Sequence, residues 1–337
     1  MRIALDVMGG DFGPEPAVNG AVQALQSDSD IRLILVGDQD QIEAILPDLG
    51  DIERRVEFEH TTEVVGMDES PAQAIKKRNS SIFRCWQLLA AGRVDGIVSA
   101  GNTGAVWAAG LRTRRFLRNI RRPAIAVTIP TAAGCSVMLD VGANTHPKPS
   151  HLFQYGVMGS IFARSLLGRD KPRIALLNVG SEESKGNVLA KETATLFLNS
   201  PMREQFHGNI EGRDLWHGVV DVIVCDGFVG NIVLKTCEGI LEFLMKAVGQ
   251  ELMGALNAER DLAKQALLGL YNRYHHSEFG GAPLLGIDGV CLICHGASDA
   301  KAFRNAIKRA KSFNEVNRLI VREMESALAG MEVGANI

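Results

Sequence analysis

Residues Asn178 to Asn187 read Asn-Val-Gly-Ser-Glu-Glu-Ser-Lys-Gly-Asn and directly follow the apolar run Ile174-Ala175-Leu176-Leu177. A buried strand that opens into glycine, serine and one lysine, with a helix-like segment beyond, has the composition of a site for an anionic group at a helix N-terminus. Five other turns share that character: Asp6 to Pro14, Ser99 to Gly104, Asp140 to Pro147, Cys225 to Asn231 and His295 to Ser298. Any one of them is explained by turn chemistry, with glycine for positive φ and Asn, Asp, Ser or Thr as a cap. Six at the carboxyl ends of one sheet predict a shared polar cleft for an anion, because such a cleft needs many amides and small side chains converging.

The usual sets for other chemistries are missing. No G-x-x-x-x-G-K-[ST] occurs, and the turn after the first strand is G-G-x-x-G rather than G-x-G-x-x-G. No G-x-S-x-G elbow is present, and the histidines do not cluster, His146 and His151 having no third ligand nearby in sequence. Cys291 and Cys294 fall in a strand-like run, where residues three apart point to opposite faces and cannot share a metal. The sequence therefore calls for no cofactor and no metal. What remains is Lys185, several Asn-containing turns and the acids Asp6, Asp11, Asp140, Glu182, Glu183 and Asp226. These parts suit a reaction that needs positioning and oxyanion stabilisation more than a strong base. Transfer of an acyl group from a thioester to phosphate is one: phosphate esters have a second pKa of about 6, and a thiolate with a pKa of about 8.5 leaves readily. Each oxyanion donor would contribute roughly 3 kcal/mol.

The elements that must position these residues are short Val/Ile/Leu runs with helix-length segments between many of them. The runs are Ile3 to Val7, Ile31 to Val36, Val56 to Phe58, Gly96 to Val98, Ala124 to Ile129, Val137 to Val141, Ile174 to Val179, Val219 to Cys225 and Val290 to Cys294. This pattern predicts a three-layer α/β/α fold with a mainly parallel sheet, forming one domain over residues 1–337. From Asn231 the apolar residues follow helical spacing to Met253, and a second helical segment from Leu262 aligns Leu267, Leu270, Tyr271 and Tyr274. The resulting hairpin, about residues 231–277, either packs on its own domain or projects to meet a second subunit. Its second helix, with Lys264 and Arg273 beside the leucines and tyrosines, also has the make-up of a membrane-surface contact. A last helical region, or two in series, runs from Ala300 to Leu328.

Of the 337 residues 46% are apolar and 22% charged, and the net charge is -3. The balance gives no global attraction to nucleic acid. The local exception is Arg112, Arg114, Arg115, Arg118, Arg121 and Arg122, either a solvated helix end or a dock for an acidic protein or anionic membrane. Asp6 comes too early for a signal peptide, and no apolar run approaches a bilayer span, so a cytoplasmic protein is expected.

The stretches Ala4 to Asp11, Gly101 to Gly104, Asp140 to Asn144, Asn178 to Asn187 and Asp226 to Asn231 together resemble the bacterial phosphate acyltransferases, in the same order over essentially the whole chain. The resemblance implies a fold similar to phosphotransacetylases and isocitrate-dehydrogenase-like enzymes. It implies reversible transfer of a fatty acyl group from acyl carrier protein to inorganic phosphate, giving acyl phosphate for phospholipid synthesis. It further implies a homodimer, loose association with the inner face of the cell membrane, and hand-over to the membrane-bound glycerol-3-phosphate acyltransferase. In that light Lys185 holds phosphate or the developing oxyanion, and Asn231 is the matching hydrogen-bond donor. Asp6, Gly9, Gly10, Asp11, Asn102, Thr103, Gly104, Asp140, Asn144, Ser181, Asp226, Gly230 and His295 line the cleft. For Asp6 and Asp140, bonding to their own loop amides is nearly as good a reading. Arg112, Arg114, Arg115 and Arg118, with Leu267, Leu270 and Tyr271, become the carrier-protein or membrane dock. Two other readings stand beside this one: an NAD- and metal-dependent hydroxyacid dehydrogenase of similar architecture, and a non-catalytic scaffold for lipid-synthesis enzymes.

Overall fold

The computed structural model describes residues 1–256, 259–274 and 280–328, with side chains for all of these except 271–274. The strands are β1 (Arg2–Asp6), β2 (Arg32–Gly37), β3 (Val56–His60), β4 (Gly96–Ser99), β5 (Ala124–Thr131), β6 (Gly134–Leu139), β7 (Ile174–Leu177), β8 (Phe206–Ile210), β9 (Val222–Val224), β10 (Ala282–Leu285) and β11 (Val290–Ile293). The helices are α1 (Glu15–Ser27), α2 (Gln39–Ile45), α3 (Pro71–Ala74), α4 (Ser81–Ala90), α5 (Thr103–Thr113), α6 (Pro149–Leu167), α7 (Val188–Leu198), α8 (Gly227–Ala255), α9 (Arg260–Tyr274) and α10 (Ala300–Leu328).

All eleven strands join one sheet in the order β3-β2-β1-β4-β11-β10-β5-β6-β9-β7-β8. Its strands alternate their side chains between two cores. On one face α1, α6, α7 and α10 pack over Ile3, Leu5, Val137 and Leu292. On the other, α4 and α5 pack over Ala4, Ile97, Met138 and Ile293. The three-layer architecture follows from continuous apolar strands that need cover on both sides. Cys291 and Cys294 fall in different cores, as their spacing on a strand requires. On α10 the residues Phe303, Ile307, Ala310, Phe313, Val316, Ile320 and Met324 recur at three- and four-residue steps and are all buried. Each of these side chains larger than alanine contributes roughly 1.5–3 kcal/mol by leaving water.

One expectation changes. Three antiparallel pairings, β11–β10, β10–β5 and β5–β6, stand between the parallel halves of the sheet. The half β6-β9-β7-β8 therefore runs opposite to β3-β2-β1-β4-β11, and the six polar turns do not share one edge. The β10 segment is short and carries Pro283, so it gives no strand signal in the sequence. Its ladder with β5 has only two pairs, Leu284↔Ile125 and Leu285↔Ala124. Beyond them Ala282 and Pro283 pair with β11, and Ala126 to Thr131 pair with β6. The sheet parts at its centre.

Helices α8 and α9 form the hairpin placed between β9 and β10. Within α8 only Gly227 and Gly230 are buried, while Ile240, Phe243 and Leu244 are exposed by 53%, 68% and 50%. Most of the hairpin thus leaves apolar side chains uncovered by its own domain. Its connecting residues 257–258 lie outside the described ones.

Candidate active site

A cavity of about 420 Å³ occupies the gap between β5 and β10. Polar positions from both halves of the sheet reach it: Thr103, Gly104, His295 and Ser298 from one half, Gly142, Thr145 and Asn231 from the other. Ile125, Val127, Val141, Phe162, Phe228, Leu234, Pro283 and Ile293 supply apolar lining. The cleft expected from the sequence exists, although it is reached from two sheet ends.

Asn231 is set by the way α8 begins. Asp226 caps the helix, its Oδ1 accepting from the N–H groups of Phe228 at 3.0 Å and Val229 at 2.9 Å. The Gly227 N–H donates to the Asn144 carbonyl at 2.8 Å and the Gly230 N–H to the Asp226 carbonyl at 2.9 Å. The first-turn donors of α8 are therefore all engaged, and what this helix offers the cavity is the Asn231 side chain rather than free amides. Helix α5 differs. Its cap, Asn102, accepts from the Ala105 N–H at 3.0 Å. The N–H groups of Thr103 and Gly104, which both line the cavity, have no partner among the described residues. These two amides point from a helix N-terminus with the dipole behind them, an arrangement that suits an anion.

Several expected cleft residues serve the loops instead. Asp140 is fully buried and accepts from the N–H groups of Ile125, Ala143 and Asn144 and from Asn144 Nδ2, at 3.1, 3.0, 2.7 and 2.9 Å. Burial pushes its pKa up to about 6. Asn144 Nδ2 also donates to the Pro123 carbonyl at 2.7 Å. Asn102 Nδ2 donates to the carbonyls of Met67 and Glu69, each at 2.9 Å. Asp6 is buried, accepts from Ser99 Oγ at 2.6 Å, and has its pKa raised by burial. A Cβ on Gly9 would come within 2.5 Å of the Gly101 nitrogen, so the turns after β1 and β4 can touch only through glycine. Gly10 takes φ +107, and the Asp11 N–H donates to the Gly296 carbonyl at 2.8 Å, tying the first turn beside His295. Asp140, Asn144, Asn102, Asp6, Gly9, Gly10 and Asp11 do not line the cavity itself.

Ser181 and Lys185 are exposed and do not line this cavity. Lys185 Nζ lies 3.9 Å from Glu182 Oε1, a loose surface pair. Its loop borders a second cavity of about 350 Å³, lined by Asn178, Gly186, Asn187, Asp226 and Val229 among others. The start of α8 separates the two spaces, with Asn231 and Phe228 on one side and Asp226 and Val229 on the other. The arginine run is not a helix end beyond Arg112: Arg114 takes φ 51, and the chain then turns into an isolated bridge between Phe116 and Ile287. Arg115 pairs with Asp288 at 3.0 Å and Arg118 with Glu325 at 3.1 Å, while Arg112 and Arg114 make no ion pair among the described residues. On α9, Leu267 is half-buried and Leu270 exposed; Tyr271's side chain lies outside the described ones. Lining residues not expected from the sequence include Phe162, Lys235, Glu238, Ala282, Pro283, Ala302 and Arg309. The pairing of β10 is the signal that could have pointed to Ala282 and Pro283.

The fold is that of the phosphotransacetylases. The chain superposes on a phosphotransacetylase from Streptococcus pyogenes with a TM-score of 0.57 at 15% identity, covering 93% of this chain and 94% of that one. It superposes on a branched-chain phosphotransacylase from Enterococcus faecalis V583 with a TM-score of 0.55 at 16% identity, covering 92% and 98%. In sequence, residues 1–320 match the family model described as fatty acid synthesis protein. The phosphate acyltransferase of Dictyoglomus turgidum is 45% identical over 327 residues, 95% of this chain and 97% of its own. That of Heliobacterium modesticaldum is 46% identical over 315 residues, 92% and 93%. The chain belongs to the phosphate acyltransferase family.

Proposed function

We propose that this enzyme transfers a fatty acyl group from the thioester of acyl carrier protein to inorganic phosphate, bound phosphate attacking the carbonyl directly. The observation that carries the reading is the cavity in which open amides of Thr103 and Gly104, the Asn231 side chain and an apolar interior meet. An oxygen of hydrogen phosphate forms the bond to the carbonyl carbon, the tetrahedral oxyanion collapses, and the carbon–sulfur bond breaks to release thiolate, which is protonated by the proton the phosphate gives up, directly or through solvent. Phosphate sits at the start of α5. Asn231 donates to the oxyanion, and Lys185 supplies positive charge from the neighbouring loop. Asp140, Asn144 and Gly230 hold Asn231 in place. The dehydrogenase and scaffold readings are not favoured by the family.

Arg112 and Arg114 dock the acidic carrier protein. The uncovered apolar face of α8 and α9 is the contact for a second subunit or for the membrane surface, where the product passes to the membrane-bound glycerol-3-phosphate acyltransferase. Among the described residues no helix is long and apolar enough to cross a membrane, so any such association is peripheral through these helices.

The test mixes purified protein with acyl-carrier-protein thioester and phosphate. Free thiol and a hydroxylamine-trappable acyl phosphate are expected in equal amounts. Thiol released equally fast without phosphate would make the protein a hydrolase and end this reading.

A further inference from the structure

The main cavity passes through the sheet instead of lying on one face of it. Val141 and Ile293 belong to the core on the α4 and α5 side, and the partly buried Leu234 packs against it. Phe162 of α6 belongs to the opposite core, beneath α10. The route exists because the β10–β5 ladder ends after two pairs, and the next residue of β10, Pro283, has no N–H with which to extend it. Along α10 the lining includes Ala302 and Arg309, seven residues or roughly 10 Å apart along the helix. The space therefore extends along α10; Asn231, Lys235, Glu238, His295 and Ser298 give it a polar side, and Ile125, Val127, Phe162, Pro283 and Ile293 give it an apolar one.

A nucleotide or sugar in such a space would leave its polar groups without partners over most of its length. A run of methylenes needs none. A methylene is close in size to a water, whose share of liquid volume is roughly 30 Å³, so the cavity accommodates on the order of a dozen such groups. Resting on the acyl transfer proposed above, we infer that the substrate's acyl chain threads the gap between β5 and β10, from Asn231 inward to Phe162 and Arg309. Phe162 and Ala302 narrow the path, and the guanidinium of Arg309 gives a methyl end no favourable place to go. Together they set the longest chain accepted. The restriction acts through the volume left beyond the carbonyl, so it selects by length and leaves the reacting atoms alone.

Wild-type protein provides the first test. Acyl carrier protein loaded with a palmitoyl chain bearing a terminal diazirine is mixed with the enzyme and phosphate, irradiated and digested. Label is expected on peptides containing Phe162 or Ala302 to Arg309. If acyl phosphate forms while label falls only on α8 and α9, or nowhere on the protein, the inference is wrong and acyl transfer stands. If no acyl phosphate forms in the unirradiated sample, acyl transfer itself is wrong and the inference goes with it. Two variants supply the second test. Ala302→Leu should lower the palmitoyl-to-octanoyl ratio of kcat/KM by about 10-fold or more, the scale of a lost methylene fit. Phe162→Leu should raise the stearoyl-to-palmitoyl ratio. Ratios unchanged in variants with wild-type Tm overturn the inference, and should either variant not fold, the labelling decides.

Discussion

Gly230 lies against the carbonyl oxygen of Asp140 so closely that a Cβ on it would overlap that oxygen. This contact fixes the start of α8 on the turn after β6, and Asn231 is the next residue. Gly230→Ala should therefore act twice. Relief of the overlap is expected to cost about 1–3 kcal/mol, read as a lower Tm. Turnover should fall further than the loss of folded protein explains, because Asn231 is displaced. Full specific activity in the folded fraction would show that Asn231's placement does not matter.

Lys185 is half exposed and lies outside the main cavity, so its removal should leave stability unchanged. Lys185→Ala is expected to lower kcat by about 10-fold, the scale of a solvent-exposed charge acting on the site from a neighbouring loop, at wild-type Tm. A normal rate in the folded variant would leave the loop's glycine and serine residues as plain turn chemistry.

Two buried groups near the site titrate in opposite senses. Burial raises Asp140 from 3.8 to about 6, so the stability tied to its proton is present below about pH 4 and lost as pH rises to about 6. Burial, helped by Arg122, Lys148 and Arg121, lowers His151 from 6.5 to about 4, so the stability tied to its neutral form is present above 6.5 and lost as pH falls to about 4. The two act in opposite senses over the same pH range. Urea unfolding should show Asp140→Asn gaining stability relative to wild type as pH rises from about 4 to about 7. His151→Asn should lose it. Parallel curves for all three proteins would contradict both assignments.

Arg115 and Arg118 already have carboxylate partners, which leaves Arg112 and Arg114 with unspent charge. Replacing these two by alanine should raise KM for acyl carrier protein several-fold at low salt, with the difference fading as salt screens it. Turnover at saturation should hold. An unchanged KM at low salt would return the pair to a solvated face.

The apolar strand runs were legible because burial on both faces writes a continuous Val/Ile/Leu signal. Strands β8 and β10 were not, since one carries Gly208 and the other Pro283, and both depend on neighbours far away in sequence for their pairing. Missing β10 hid the reversal of the sheet and with it the gap that forms the cavity. Among the residues that line the cavity, the motifs had singled out Thr103, Gly104, Asn231 and His295. They could not separate these from Asn102, Asp140 and Asn144, because an amide or carboxylate that caps its own loop has the same sequence as one that faces a ligand.

Phe243 stands 68% exposed on α8, beside Ile240 and Leu244 on the uncovered side of the hairpin. Apolar side chains of this size in one patch are seldom left in water by a stable chain. Covered by a second copy, they bury the same surface on both subunits, since a two-fold contact uses one patch twice. Phe243→Asp has no core of its own domain to disturb. It is expected to halve the mass measured by light scattering at micromolar concentration while the far-UV spectrum is kept. Should wild type already run as a monomer and instead sediment with anionic vesicles in a Phe243-dependent way, the patch faces lipid and the dimer contact is elsewhere.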